Sequence, residues 1–159
     1  MWSRRSQRSM WEGRRLAVVM PARNEAPHID GALRSLPAEV DVVVVVDDGS
    51  TDGTTEAVKG TERPFDVTVL QRGGQGVGAA VAMGLDHLAR VLGANDLVAV
   101  MDGDGQMDAD DLLPLCRQLV AEQADVIKGD RLAHQDVRGA MPVLRRLATR
   151  GLALLTTLA

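Results

Sequence analysis

Residues 42–46 are five consecutive valines, and two aspartates, Asp47 and Asp48, follow them directly. A β-branched run that is apolar at both alternating positions fits a strand covered on both faces, because a half-wet strand would alternate apolar with polar. Covered strands belong to layered α/β architectures, and the remainder of the chain agrees with that. Short apolar runs at residues 16–20, 40–46, 66–70, 97–101 and 125–128 read as strands. Segments of helical periodicity separate them, at residues 26–36, 51–59, 76–92 and 110–121. The alternation predicts βαβ units around a mainly parallel sheet. Asp108 or Asp111 is placed to cap the last helix, and Pro114 blurs where that helix begins.

With 159 residues, the chain suits one domain. One Phe, two Trp and no Tyr leave a core of Val, Leu, Ala and Met, so recognition by aromatic stacking is disfavoured. The lone Cys116 rules out an intrachain disulfide and reads as a small buried hydrophobe in an apolar helix. The net charge of −4 hides a partition. Residues 1–15 carry five Arg against Glu12, residues 138–159 carry four Arg and no acid, and the middle sets nine bases against 21 acids. So acidic a middle argues against a nucleic-acid partner and for a cation wherever the acids converge.

The termini read differently. Residues 1–15 form a basic tail, expected to be flexible, with attraction to anionic lipid as its sharper reading. The apolar run after it is too short for a secretory signal, and no stretch reaches the ~20 apolar residues of a membrane span. Residues 136–159 read as a basic amphipathic helical tail. Leu144, Leu147, Leu154, Leu155 and Leu158 share one face, and Arg145, Arg146 and Arg150 take the other. Such a helix docks on a core or lies on an anionic membrane. Residues 16–135 remain as the ligand-binding domain.

Each informative motif follows a strand, where loops and helix N-termini of an open parallel sheet converge on ligands. After residues 97–101 comes Asp102-Gly103-Asp104-Gly105-Gln106-Met107-Asp108. Two carboxylates about 4 Å apart repel by roughly 4 kcal/mol at an effective dielectric near ~20, a penalty that a divalent cation removes. Oxygen ligands with no His or Cys nearby favour Mg²⁺ or Mn²⁺ over Zn²⁺. After the valines comes Asp47-Asp48-Gly49-Ser50-Thr51-Asp52-Gly53-Thr54, both a turn with helix caps and a source of carboxylate acceptors for a nucleobase. Met20-Pro21-Ala22-Arg23-Asn24-Glu25 follows the first strand. Arg72-Gly73-Gly74-Gln75-Gly76-Val77-Gly78 turns into a helix and can offer backbone N–H groups to a pyrophosphate, or serve simply as a tight turn.

In this order and spacing, the four segments resemble family 2 glycosyltransferases, and within them the dolichyl- or polyprenyl-phosphate mannose and glucose synthases. The resemblance runs over residues 16–132 and includes Lys128-Gly129-Asp130-Arg131, where the family carries Gly-x-Arg. It implies a Rossmann-like GT-A sandwich that moves a hexose, with inversion, from a GDP- or UDP-linked donor to an acceptor, most simply a polyprenyl phosphate. It places Pro21, Arg23 and Glu25 in the nucleoside pocket, Asp48 at the base with Asp47 beside it, and Gly74 in the donor site. Asp102 and Asp104 become the metal and diphosphate motif, with Gln106 near the sugar phosphate. Asp104 and Arg131 take the catalytic roles, Arg131 by meeting a phosphate of donor or acceptor. A lipid phosphate is already ionised and needs no general base, so His28, His87 and His134 carry no role.

Two departures from the family accompany the match. Gln75 stands where many relatives have lysine, and relatives continue into an acceptor-side segment beyond the length seen here. The resemblance also implies a cytoplasmic protein at the inner face of the plasma membrane. Rival readings are weaker. A phosphatase using Asp102-Gly103-Asp104-Gly105 would place that motif near its N-terminus, an EF-hand would want Gly and Glu where Met107 and Leu113 stand, and a dinucleotide fingerprint would follow the first strand. A fragment that binds nucleotide without transferring sugar is the remaining alternative.

Overall fold

A computed structural model describes residues 11–60 and 63–129. The chain divides into two units, Met1–Gln123 and Ala124–Ala159. The first unit runs β1 (Leu16–Ala22), α1 (Ile29–Ser35), β2 (Val42–Asp47), α2 (Thr54–Lys59), β3 (Asp66–Gln71), α3 (Val77–Ala89) and β4 (Leu97–Val100). A 3₁₀ turn (Ala109–Asp111) then leads into α4 (Leu112–Ala121). The strands form one sheet in the order β3-β2-β1-β4, and every pair is parallel.

The valine run behaves as its composition predicts. Val43 and Val45 join Val18, Met20, Ile29, Leu33, Leu112 and Cys116 in one core, whereas Val42, Val44 and Val46 join Ala17, Val19, Ala80 and Leu88 of α3 on the opposite face. A strand buried on both sides leaves no position for a polar residue, and each buried valine contributes about 1.5–3 kcal/mol relative to exposure. Close approach of α3 depends on Gly84. A Cβ there would sit 2.5 Å from Cγ1 of Val19, so no other residue fits without moving the helix.

The strand order places a switch point between β1 and β4: the chain steps outward from β1 to β3, then crosses back to β1's other side. Ligand crevices of open α/β sheets lie at such a point, outside the carboxyl ends of the strands. At the opposite ends, the backbone N–H of Arg15 donates to Asp96 Oδ1 at 2.9 Å, its guanidinium pairs with Asp96 Oδ2, and Arg14 donates to the carbonyl of Asn95. Trp11, inside the stretch expected to be a tail, is buried against the first core.

The four strand readings at residues 16–20, 40–46, 66–70 and 97–101 hold within two residues at each end. The fifth does not: residues 125–128 are not a strand, and Val126 is 82% exposed. Two adjacent β-branched residues supply the propensity, but a strand exists only through pairing. The helix expected from residue 26 begins at Ile29, and the backbone N–H groups of residues 24–26 are taken by the side chains of Ser50, Thr54 and Asp52. Asp108 caps, accepting from the N–H of Asp110 at 3.0 Å, and Asp111 makes no side-chain cap bond. Pro114 sits in the first turn of α4, where a missing N–H costs nothing. The expected helical tail at residues 136–159 lies outside the described residues.

Candidate functional site

Four loops leave the carboxyl ends of four adjacent parallel strands, and every predicted site residue within the described chain lies on one of them or on the strand end before it. Pro21 is the next-to-last residue of β1, and Arg23 and Glu25 follow the strand. Asp47 ends β2 and Asp48 follows. Gly74 lies in the turn after β3, while Asp102, Asp104 and Gln106 lie after β4. Arg131 lies outside the described residues.

Asp47 and Asp48 are both buried and do different things. Asp47 accepts from the backbone N–H of Ser50 at 2.8 Å on one oxygen and from the Thr55 hydroxyl at 2.6 Å on the other. Burial alone would push its carboxyl up, but these bonds outweigh it and hold the group below the usual carboxylate range. Asp48 reaches across to the glycine-rich turn. Its oxygens accept from the backbone N–H groups of Gln75 at 2.9 Å and Gly76 at 2.7 Å, which, with Arg72 and Arg23 nearby, keep it ionised below the usual range. One consequence concerns the glycine-rich turn. Two of the N–H groups that were candidates for a pyrophosphate are given to Asp48 instead.

Arg72 is the residue the sequence reading left without a role. Its Nε lies 3.3 Å from Asp48 Oδ1, and its other end donates to the side-chain oxygen of Gln75. Gln75 thus orients an arginine. The clue lay in the motif, since Arg72 opens the glycine-rich turn one residue past β3. Arg23 completes the cluster: a side chain at Gly74 would begin 3.7 Å from its guanidinium, and Gly49 packs against the backbone of the same turn. Arg23 therefore lies against Gly74, and Arg72 against Asp48, which also binds the turn.

The loop after β4 is joined to β1. The N–H of Gly103 donates to the carbonyl of Pro21 at 3.2 Å, and a Cβ on Gly103 would lie 2.8 Å from Ile29 Cδ1 and 3.2 Å from Ala22 Cβ. A side chain at 103 would crowd this contact, so glycine lets the segment that carries Asp102 and Asp104 lie against the end of β1. Both are partly exposed, and Asp104 turns one oxygen to the N–H of Gln106 at 2.9 Å. Among the described residues no group of three or more His, Cys, Asp or Glu could hold a metal ion. Beside this loop a groove of about 470 Å³ runs past Gly31 and Ser35 of α1, with Gln106 and Asp108 on its other wall.

Comparison with known proteins agrees with this geometry. The family described as Glycosyl transferase family 2 matches residues 17–156. A Methanococcus voltae protein named UDP-N-acetylglucosamine–dolichyl-phosphate N-acetylglucosaminyltransferase is 26% identical over 89% of this chain and 61% of its own length. The dolichol-phosphate mannosyltransferase of Pyrococcus furiosus is 28% identical over 86% of this chain and 39% of its own. The chain thus spans about three fifths or less of these relatives. Among solved structures, S. aureus TarS residues 1–349 in complex with UDP superposes with a TM-score of 0.54 at 23% identity, covering 74% of this chain and 36% of that one. The fold is therefore the α/β architecture of GT-A-like glycosyltransferases, and the chain belongs to glycosyl transferase family 2.

Proposed function

We propose that this chain binds a nucleoside-diphosphate hexose at the carboxyl end of its sheet and passes the hexose, with inversion, to a polyprenyl phosphate. The observation that carries this reading is the convergence of Arg23, Arg72, Asp48 and the glycine turn on one side of the switch point with Asp102 and Asp104 on the other. Guanidinium groups beside a glycine-rich turn suit a nucleotide, and Glu25, on the same loop as Arg23, is proposed to meet its ribose. Relatives named for dolichyl phosphate support a lipid-phosphate acceptor. Mg²⁺ or Mn²⁺ held by Asp102 and Asp104 would supply charge neutralisation on the leaving diphosphate. Gln106 is proposed to meet the sugar phosphate, and Arg131 to steady a phosphate of donor or acceptor.

The acceptor brings its own negative charge, so no side chain has to remove a proton. Among the described residues no helix is long and apolar enough to cross a membrane, and contact with lipid is proposed as peripheral, at the cytoplasmic face, through the basic residues of 1–15 and 136–159. Calorimetry with GDP, UDP and their hexose conjugates, with and without Mn²⁺, tests the reading on this chain and on Asp104→Asn. One nucleotide should bind at least about tenfold tighter with Mn²⁺, and Asp104→Asn should lose that gain. Equal binding under all conditions defeats the proposal.

A further inference from the structure

Three consecutive backbone N–H groups of the loop after β1 are each received by a side-chain oxygen of the loop after β2 or of the first residue of α2. Asn24 donates to Ser50 Oγ at 2.9 Å, Glu25 to Thr54 Oγ1 at 2.9 Å, and Ala26 to Asp52 Oδ2 at 3.0 Å. One bond returns, from the N–H of Thr51 to Asn24 Oδ1 at 2.9 Å. The parallel ladder of β1 and β2 ends with Ala22 opposite Asp47 and the Asp48 N–H on the Ala22 carbonyl. Beyond that point, side chains continue the pairing. Asn24 lies in the left-handed region at φ 57°, a conformation that costs energy in most residues and persists where surrounding bonds demand it.

Asp52 and Thr54 are the centre of this clasp. Asp52 Oδ1 accepts both the N–H of Thr54 at 3.1 Å and its hydroxyl at 2.6 Å, and that hydroxyl oxygen accepts from Glu25. The hydroxyl is thereby fixed with its proton toward the carboxylate and its lone pairs toward Glu25. Asp52 Oδ2 takes the next amide along, that of Ala26. One carboxylate and one buried hydroxyl thus determine where the Arg23–Glu25 segment lies relative to Asp48.

We infer that Asp52 and Thr54 are positioning residues for donor binding: they touch no nucleotide themselves and set the place of Arg23 and Glu25, which do. The inference rests on the nucleotide-binding reading above. An amide at position 52 has one oxygen, so Asp52→Asn must abandon either Ala26 or Thr54. Thr54→Val keeps the shape and removes the acceptor of Glu25, whereas Thr54→Ser keeps the hydroxyl.

The test measures, on the full chain and on each variant, GDP and UDP affinity by calorimetry, amide hydrogen exchange at residues 24–26, and the thermal midpoint. Asp52→Asn and Thr54→Val should weaken the preferred nucleotide about tenfold and speed exchange at Glu25 and Ala26, and Thr54→Ser should restore both toward the parent. A fall in thermal midpoint with unchanged affinity of the folded protein would overturn the inference and leave these residues a purely structural role. If the parent chain binds neither nucleotide, the proposed function fails instead, and unaltered exchange at residues 24–26 in Asp52→Asn would separately refute the clasp.

Discussion

Asp41 and Asp47 bracket the same strand, and their side chains fare in opposite ways. Both are almost fully buried, at 3% and 4% exposure. At the amino end, Asp41 accepts from the N–H of Leu16 at 2.9 Å with one oxygen, and its other oxygen is buried without a hydrogen-bond partner. Burial pushes its carboxyl above the usual range despite the nearby Arg15. At the carboxyl end, both oxygens of Asp47 are bonded, and its carboxyl is held low. Burial is common to the pair, so the number of donors aimed at each group decides the outcome. The loop after β2 aims two donors at Asp47 whereas Asp41 receives one, which is why the ionised form is stable at the first and costly at the second.

The largest effect expected from this contrast lies on ligand binding. Asp102→Asn with Asp104→Asn should lower hexose transfer at least about 100-fold in an assay with lipid phosphate, while the same exchange at Asp41 should leave it within about twofold. Comparable losses from both ends would break the contrast. Next comes Asp47→Ala, which takes the acceptor from the Ser50 N–H and from the Thr55 hydroxyl proton, while the Thr55 oxygen still accepts from Gln71. Urea unfolding should show a loss of about 2–3 kcal/mol.

Acid sharpens the comparison further. The Asp47 carboxyl is held below its ordinary 3.8, so the stability it contributes is complete above about pH 4 and is lost as pH falls through its lower folded value. Asp41 works in reverse, since its raised folded value means that protonation relieves a cost as pH falls. Thermal midpoints between about pH 3 and pH 6 should therefore flatten in Asp47→Asn and steepen in Asp41→Asn. The smallest effect is Asp41→Asn at neutral pH. It keeps an oxygen for Leu16 and removes a buried charge, so stability should rise or stay within about 0.5 kcal/mol, and a loss above about 1 kcal/mol would show that the unpartnered oxygen is better served than its surroundings indicate.

The candidate site was legible in part. Paired acids after a buried strand, glycines flanking carboxylates and a glycine-rich turn before a helix are local patterns, and Pro21, Arg23, Glu25, Asp47, Asp48, Gly74, Asp102, Asp104 and Gln106 all lie at strand ends as those patterns imply. What each side chain touches was not legible. Asp48, read as an acceptor for a base, spends bonds on the turn after β3, and Arg72 acquires a place because Asp48 is there. Residues 125–128 show the converse failure, with β propensity present and no strand formed.

Apolar periodicity is a property of neighbouring residues, so the amino-acid order by itself determined the strand–helix alternation, the two-sided burial of residues 42–46, and the assignment of the motifs to strand ends. The tertiary structure decided the rest. Ala26 meets Asp52 across 26 residues of chain and Arg15 meets Asp96 across 81, and both meetings exist only because the strands assemble in the order β3-β2-β1-β4. Hydrogen bonds have short reach and strict direction, so their partners are set by which loops the sheet brings side by side, a fact that no local pattern contains.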